Sequence, residues 1–469
     1  MDAKKIKGIV VAAPASGSGK TTITLGLLAA LTRKGIDTAA FKIGPDFIDP
    51  GLHGEITGQP GRNLDGWMLD HDTNIDIFAR GAEGSDMAVV EGVMGLYDGF
   101  SGASEAGSTA QMSKWLDLPV LLVVDAGRMA RSFAALVKGF AAFDPKVRFC
   151  GVVANNAGSP AHIRYLEEAM ADVPEIALLG AIPKDAAAGI PERHLGLFTA
   201  EDKVVCQQKT HALANLVSNH IDLDGLISGL DAIALKQTAD RLRPEPAVRV
   251  AVARDSAFCF YYQDNLDVLE EHGCEIVFFS PVNDADLPEN IHGIYLGGGY
   301  PELYAKALSE NVSMRHALLA AARANMPVYA ECGGFMYLCK SLEDQNGGVF
   351  EMAGVFAFQT VMAKQLCALG YRQIRFLENT PLGPSGTVVR GHEFHYSFIR
   401  NPKSEQAGRD VYETADRAGK TRTAPGWLAN QCLGSYVHLH FRSQPQTGRN
   451  FATACAAFQN KRKNIHETP

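Results

Sequence analysis

The sequence predicts an α/β protein of two domains, the first on a mostly parallel sheet, and three observations carry that expectation. Short apolar runs rich in β-branched residues alternate with longer helical patterns. A phosphate-loop pattern joins the first run to the first helical stretch. A polar stretch with two prolines then interrupts the alternation near mid-chain, and a second α/β series follows it.

The strand candidates of the first series are Gly8–Ala13, Thr38–Ile43, Met87–Val93, Val120–Asp125, Phe149–Ala154 and Leu178–Ile182. Most are continuous apolar runs rather than strict alternations, as expected of strands covered by helices on both faces. A helical stretch, His211–Ser228, precedes the polar segment KQTADRLRPEPAV, in which Pro244 and Pro246 disfavour regular structure. The expected division is a domain over 1–235, a linker over 236–247 and a second domain over 248–460. Strands of the second domain are expected at Val248–Ala253, Glu275–Phe279, Gly293–Leu296 and Pro327–Ala330. Later ones, at Gly354–Val361, Gly370–Arg375, Val388–Tyr396 and Leu433–Phe441, suggest a mixed sheet.

Composition narrows the class. The chain has 469 residues, enough for two or three substantial cores, with 46% hydrophobic and 20% charged residues. No apolar run reaches the ~18 residues of a membrane span. The start, two or three lysines before a short apolar run, has the outline of a signal peptide, but the phosphate loop that follows makes the run a first buried strand. The nine cysteines form no Cys-x-x-Cys pair, which argues for a reduced cytosol rather than a disulfide framework or structural zinc. A net charge of −8 with no long basic block leaves no nucleic-acid footprint, and Lys461-Arg462-Lys463 reads as a solvated tail.

The segment Pro14-Ala-Ser-Gly-Ser-Gly-Lys-Thr-Thr22 follows the first strand and opens a helical pattern, Thr22–Arg33. Small residues let backbone N–H groups surround phosphate, a lysine reaches the β and γ phosphates, and a hydroxyl reaches Mg²⁺. Gly17, Ser18, Gly19, Lys20, Thr21 and Thr22 supply these parts, and the helix N-terminus adds partial positive charge. Pro14 stands where the usual pattern has its first glycine, so the loop is a variant. Two acidic segments support nucleotide chemistry. FKIGPDFIDPGLH holds Asp46 and Asp49, and VVEGVMGLYDG holds Glu91 and Asp98. At the carboxyl ends of strands Asp46 and Glu91 can hold Mg²⁺ together with Thr21. Each of the four acids can alternatively be a cap or turn residue.

In the second domain, Pro327-Val-Tyr-Ala-Glu-Cys-Gly-Gly-Phe-Met336 reads as strand, cysteine, two glycines and helix, the outline of a nucleophile elbow. Cys332 is the candidate nucleophile, and the helix start behind it favours thiolate. The Gly333 amide can hold an oxyanion, with a second donor from the glycines of LGGGYPE, at Gly298. A buried structural cysteine is the plainer alternative. His438 and His440, two apart on a late strand, share a face and offer a base; His392 and His395 are rivals. The four histidines could also bind metal, but no cysteine or carboxylate is spaced to complete a site.

These motifs together resemble the cobyrinic acid a,c-diamide synthases of cobalamin biosynthesis. The likeness spans nearly the whole chain through APASGSGKTT, FKIGPDFIDP, NLDGWM, VVEGVMGLYDG, YLGGGYPEL, AECGGFMYL, GHEFHYS and SYVHLHF. The resemblance implies a dethiobiotin-synthetase-like P-loop domain joined to a class I glutamine amidotransferase domain. It implies Cys332 as glutaminase nucleophile and His438 as its base. It also implies Lys20 and Thr21 at ATP and Mg²⁺, and Asp46 and Glu91 in metal binding and carboxylate activation, with Asp49 and Asp98 as weaker transfers. Many triad amidotransferases carry an acid two residues after the histidine. His440 holds that place here, a departure the family shares, so the resemblance implies a Cys-His dyad.

The activity so implied is an ATP- and glutamine-dependent carbon–nitrogen ligase of the cytoplasm, acting on the a and c acetates of a corrinoid. The order of the motifs leaves sirohydrochlorin-type rings and cobyric acid synthase chemistry open as relatives of that reading. A P-loop regulatory ATPase with an inactive second domain is a rival of another class, opposed by the intact Cys332 and His438. Glutamine, ATP and a tetrapyrrole polycarboxylate are the expected small-molecule partners, with no nucleic acid and no membrane; a homodimer is left open. Ammonia lost to bulk water would be protonated, so a sheltered route for it is expected.

Overall fold

The computed structural model describes residues 5–184, 200–236, 244–400 and 408–466. It divides into two compact units, Met1–Ala239 and Asp240–Pro469. Of the stretch 236–247 expected as a linker, residues 237–243 lie outside the described residues.

The first unit is built on β1 (Lys5–Ala12), β2 (Thr38–Ile43), β3 (Arg62–Leu64), β4 (Met87–Glu91), β5 (Val120–Asp125), β6 (Phe149–Ala157), β7 (Leu178–Pro183) and β8 (Ala232–Ala234). The order is β3-β2-β4-β1-β5-β6-β7, parallel throughout, with β8 antiparallel to the start of β1. The continuous apolar runs are buried on both faces, Val120 to Val124 being at most 1% exposed. The chain runs from β1 to β2 on one side and later crosses from β4 over β1 to β5 on the other, so a crevice opens at the carboxyl end of β1. Helices α1 (Lys20–Arg33) and α2 (Ile48–Thr57) start there. The single helix expected over His211–Ser228 is two, α3 (Ala200–His220) and α4 (Leu223–Ser228). Asp222 breaks it: its carboxylate accepts the Gly225 amide at 2.8 Å and caps α4, while Ile221 bridges Gly180 at the sheet edge.

The second unit contains β9 (Val248–Ala253), β10 (Cys274–Phe279), β11 (Gly293–Leu296), β12 (Val328–Glu331), β13 (Ala368–Phe376), β14 (Val388–His395), β15 (Cys432–Ser435) and β16 (Val437–Leu439). Its main sheet runs β10-β9-β11-β12-β15 in parallel and is extended by antiparallel Gly426–Ala429 and Arg409–Asp410. A separate antiparallel sheet contains β13, β14 and β16. The strand expected over Leu433–Phe441 is therefore two strands in two sheets. Ser435 pairs with Glu331, and its hydroxyl accepts the Val437 amide at 3.1 Å, so the chain turns at Tyr436. That turn carries His438 to the end of β12, where helix α5 (Gly333–Leu338) begins.

Candidate active site

In the first unit a cavity of about 500 Å³ opens at the phosphate loop. Gly17, Gly19, Lys20, Thr21 and Thr22 line it with Lys42, Asp46, Asp49 and Glu91. Gly17 and Gly19 hold φ of 81° and 97°, a left-handed region that glycine adopts without strain. A side chain at Gly19 would also strike Asn155, whose amide donates to the Ser18 carbonyl at 3.0 Å. Ser18 is turned inward, its hydroxyl donating to the Ala15 carbonyl at 2.9 Å. The Lys20 ammonium bonds the Met94 carbonyl at 2.5 Å; burial, then the nearby Lys42 charge, lowers its pKa.

Of the four acids expected near the phosphates, Asp46, Asp49 and Glu91 line this cavity and Asp98 does not. Glu91 is fully buried and ties the floor together: Thr21 donates to it at 2.6 Å, Lys42 at 3.0 Å, and the His53 Nε2 lies 2.9 Å away. Lys42 also pairs with Asp49 at 2.6 Å. Burial works against each of these charges, yet Lys42 is held above the ordinary lysine range by Glu91 and Asp49. Glu91 lies below the usual carboxylate range because Lys42, His53 and Thr21 outweigh its burial. Asp49 goes the other way, raised first by burial and then by the Glu91 charge. Asp46 lines the cavity, but its Oδ1 accepts the Ile48 amide at 2.8 Å, a turn role. Asp98 is outside the lining and accepts the Gly95 amide at 3.0 Å. Magnesium bound with nucleotide phosphates takes one or two protein groups and keeps water. The Thr21 hydroxyl beside Glu91 fits that demand, and among the described residues no three His, Cys, Asp or Glu side chains form a metal-holding cluster.

In the second unit Cys332 closes β12 with φ 45° and ψ −104°, a conformation that costs a non-glycine residue of order 1–3 kcal/mol and marks a nucleophile elbow. Its amide donates to the Ser435 carbonyl at 2.8 Å, which fixes the elbow to β15. Cys332 is 7% exposed, and burial first, then the Glu302 carboxylate, push its thiol well above the ordinary range. The expected thiolate preference from the helix start is thus outweighed: the six residues of α5 supply less than burial removes. Gly334 allows the close approach of α5, for a Cβ there would sit 2.4 Å from the Leu296 carbonyl oxygen.

The expected oxyanion donor at Gly298 needs correction. Its amide already donates to the Phe260 carbonyl at 3.2 Å. Gly298 instead makes room for the base, since a Cβ there would stand 2.4 Å from Cε1 of His438. The next amide, that of Gly299, lies 3.0 Å from the position a Gly333 Cβ would take, so Gly299 and Gly333 are the adjacent amides at the elbow. His438 is buried, and its Nδ1 is 3.8 Å from the Glu331 carboxylate. His392 stacks on His438 at 5.0 Å and places its own Nδ1 2.7 Å from the Tyr262 hydroxyl. His395 is engaged elsewhere, with Glu393 at 2.9 Å and the Ser397 carbonyl at 2.6 Å. His440 is fully buried against the Tyr262 ring, and burial pushes its pKa down to about 3, so it is neutral.

Sequence reasoning missed Lys42, His53, Asn155 and Glu331. For Lys42 and Glu331 a signal exists: each is a charge inside a run that is otherwise apolar, and a buried charge demands a partner. For His53 and Asn155 nothing in the local pattern stands out.

Comparison with known proteins matches residues 9–197 to a CobQ/CobB/MinD/ParA nucleotide binding domain and residues 249–446 to a CobB/CobQ-like glutamine amidotransferase domain. The chain is 42% identical to the cobyrinate a,c-diamide synthase of Syntrophotalea carbinolica, over 95% of this chain and 98% of that one. It is 41% identical to the protein of the same name from Dehalococcoides mccartyi, over 96% and 98%, and 40% identical to that of Salmonella typhimurium, over 95% and 97%. A solved glutamine amidotransferase aligns with 44% of this chain and 98% of its own at 14% identity and a TM-score of 0.33, too slight a likeness to carry an argument. With a phosphate loop on one sheet, a cysteine elbow on another and this identity along nearly its whole length, the chain belongs to the cobyrinate a,c-diamide synthase family.

Proposed function

We propose that this protein converts the a and c acetate carboxylates of cobyrinate to amides, with glutamine as nitrogen donor and ATP as activator. The observation that carries this reading is one chain holding both a phosphate-loop cavity and a cysteine elbow with a histidine beside it.

Cys332 enters as a thiol. His438 takes its proton as sulfur attacks the glutamine side-chain carbonyl, and the Gly299 and Gly333 amides receive the developing oxyanion. Collapse breaks the C–N bond, the same proton goes to the leaving nitrogen, and ammonia departs from a thioester. Water then releases glutamate and restores the thiol. At the cavity, an acetate oxygen attacks the γ-phosphorus of ATP and ADP leaves. Lys20 faces the phosphates, and Thr21 with Glu91 would hold the magnesium that offsets their charge. Ammonia attacks the resulting acyl phosphate and inorganic phosphate leaves. Lys42 lies between Glu91 and Asp49, so its ammonium offsets negative charge on the cavity floor beside a triphosphate. The protein is proposed to work as a cytoplasmic enzyme on small molecules.

The test is incubation of purified protein with glutamine, ATP, Mg²⁺ and, separately, cobyrinate or a sirohydrochlorin-type ring, followed by mass spectrometry. Two losses of about 1 mass unit each from cobyrinate, one per OH replaced by NH₂, are expected. The same losses from the sirohydrochlorin-type ring, with cobyrinate untouched, would reassign the substrate.

A further inference from the structure

We infer that Glu331, the residue immediately before the nucleophile, is the positioning acid of the glutaminase site: it holds the His438 ring by its Nδ1 edge and replaces the acid missing from position 440.

The acid expected after the histidine in a Cys-His-acid set is absent, and His440 in that place is buried and neutral. A carboxylate nevertheless lies at the site, arriving from another strand. Glu331 is fully buried at the end of β12. Its Oε1 accepts from the Tyr329 hydroxyl at 2.5 Å and the Leu439 amide at 2.9 Å, and its Oε2 accepts from the Tyr295 hydroxyl at 2.9 Å. Those donors fix the carboxylate from three sides. Its fourth neighbour is the His438 Nδ1, 3.8 Å from Oε2, and among the described residues no other basic side chain comes within ion-pairing distance of Glu331. Leu439, which donates to Glu331, is the residue after His438, so the carboxylate holds the backbone of the base as well as facing its ring.

An ionised carboxylate in an apolar interior is costly, and three neutral donors only partly offset that cost. The placement makes sense if a positive charge appears beside it. When His438 takes the thiol proton on Nε2 the ring becomes imidazolium, and Glu331 then lies against the N–H of Nδ1. Before that step the same carboxylate favours the tautomer with Nδ1 protonated and Nε2 free to act as base. The 3.8 Å separation is longer than a hydrogen bond, in keeping with apo sites whose catalytic bonds tighten only in the substrate complex. His392, stacked on the other side of His438, cannot take this part, because its Nδ1 already meets the Tyr262 hydroxyl.

The inference rests on Cys332 and His438 being nucleophile and base. The full-length protein is assayed with cobyrinate and ATP, with either glutamine or ammonium as nitrogen source. Ammonium bypasses the elbow and so reports folding. For Glu331→Gln, kcat with glutamine should fall on the order of 100-fold at unchanged KM for glutamine. In a His438→Ala background the same substitution should cost nothing further. Unchanged kcat in Glu331→Gln, or an equal loss without His438, would overturn the inference. If Glu331→Gln loses both nitrogen sources together, Tyr295→Phe decides: it removes the donor to Oε2 while the Asn265 amide, which also donates to that hydroxyl, keeps its bond to the Leu439 carbonyl, and an unchanged kcat there overturns the proposal while a lower kcat at constant KM supports it. Cys332→Ala separates the two levels. Survival of glutamine-dependent turnover in that variant sinks the assignment of the nucleophile itself, whereas its loss beside a neutral Glu331→Gln sinks only the role of Glu331.

Discussion

The two units build their reactive centres in opposite ways. At the phosphate loop the expected phosphate-binding parts come from one contiguous segment, residues 14–22, and buried charges line a cavity of about 500 Å³. At the elbow the parts come from several separate strands: Cys332 and Gly333 after β12, Gly298 and Gly299 after β11, His438 on β16, His392 on β14. The first centre is charged and paired before any ligand arrives, with Lys42 between Glu91 and Asp49. At the second, burial first and then the Glu302 carboxylate push the Cys332 thiol well above its ordinary range. A site meant for phosphates needs standing charge, whereas a site meant for covalent attack needs a charge that appears only during the reaction.

The sharpest way to break this contrast is Cys332→Ala. It should lower glutamine-dependent amidation by about 1000-fold or more while ammonium-dependent amidation persists, measured as amide formed with each nitrogen source. Lys20→Ala should instead lower both, by about 100-fold, since it removes a donor from the phosphate site that either source requires. If ammonium rescued Lys20→Ala, the division of labour would be wrong. Next in size is Lys42→Met, which leaves Glu91 and Asp49 buried without their cation and should destabilise the first unit by about 3–5 kcal/mol, read by urea unfolding. An unchanged midpoint would mean that the floor is not held by this ion pair.

The smallest expected effect concerns His440. Its pKa is lowered by burial to about 3, below the ordinary value near 6.5 that it regains on unfolding. Its contribution is therefore complete above pH 6.5 and is lost as pH falls from there toward 3. His440→Phe should flatten the decline of stability between pH 6.5 and 5 by roughly 1 kcal/mol per pH unit, seen in denaturant midpoints across that range.

Much of the fold was legible because continuous apolar runs mark buried strands; Thr38–Ile43, Val120–Asp125, Val248–Ala253 and Gly293–Leu296 have the bounds expected for them. The errors fall where a polar side chain redirects the backbone. Asp222 caps a new helix inside an expected one, and Ser435 ends one strand so that the next joins another sheet. Periodicity does not register either event, since each depends on a single hydrogen bond. The Gly298 expectation failed for a related reason: a glycine-rich loop announces close approach, but whether an amide or a ring comes close depends on what lies opposite.

By itself the sequence determined the α/β character, the phosphate loop and the cysteine elbow, because each is encoded by neighbouring residues whose geometry is local. Only the tertiary structure decided that Gly298 faces the His438 ring, that Lys42 bridges Glu91 and Asp49, and that Glu331 lies beside His438. Lys42 and Glu91 are 49 positions apart and Glu331 and His438 are separated further still; strand order and register, rather than sequence spacing, bring these residues within reach.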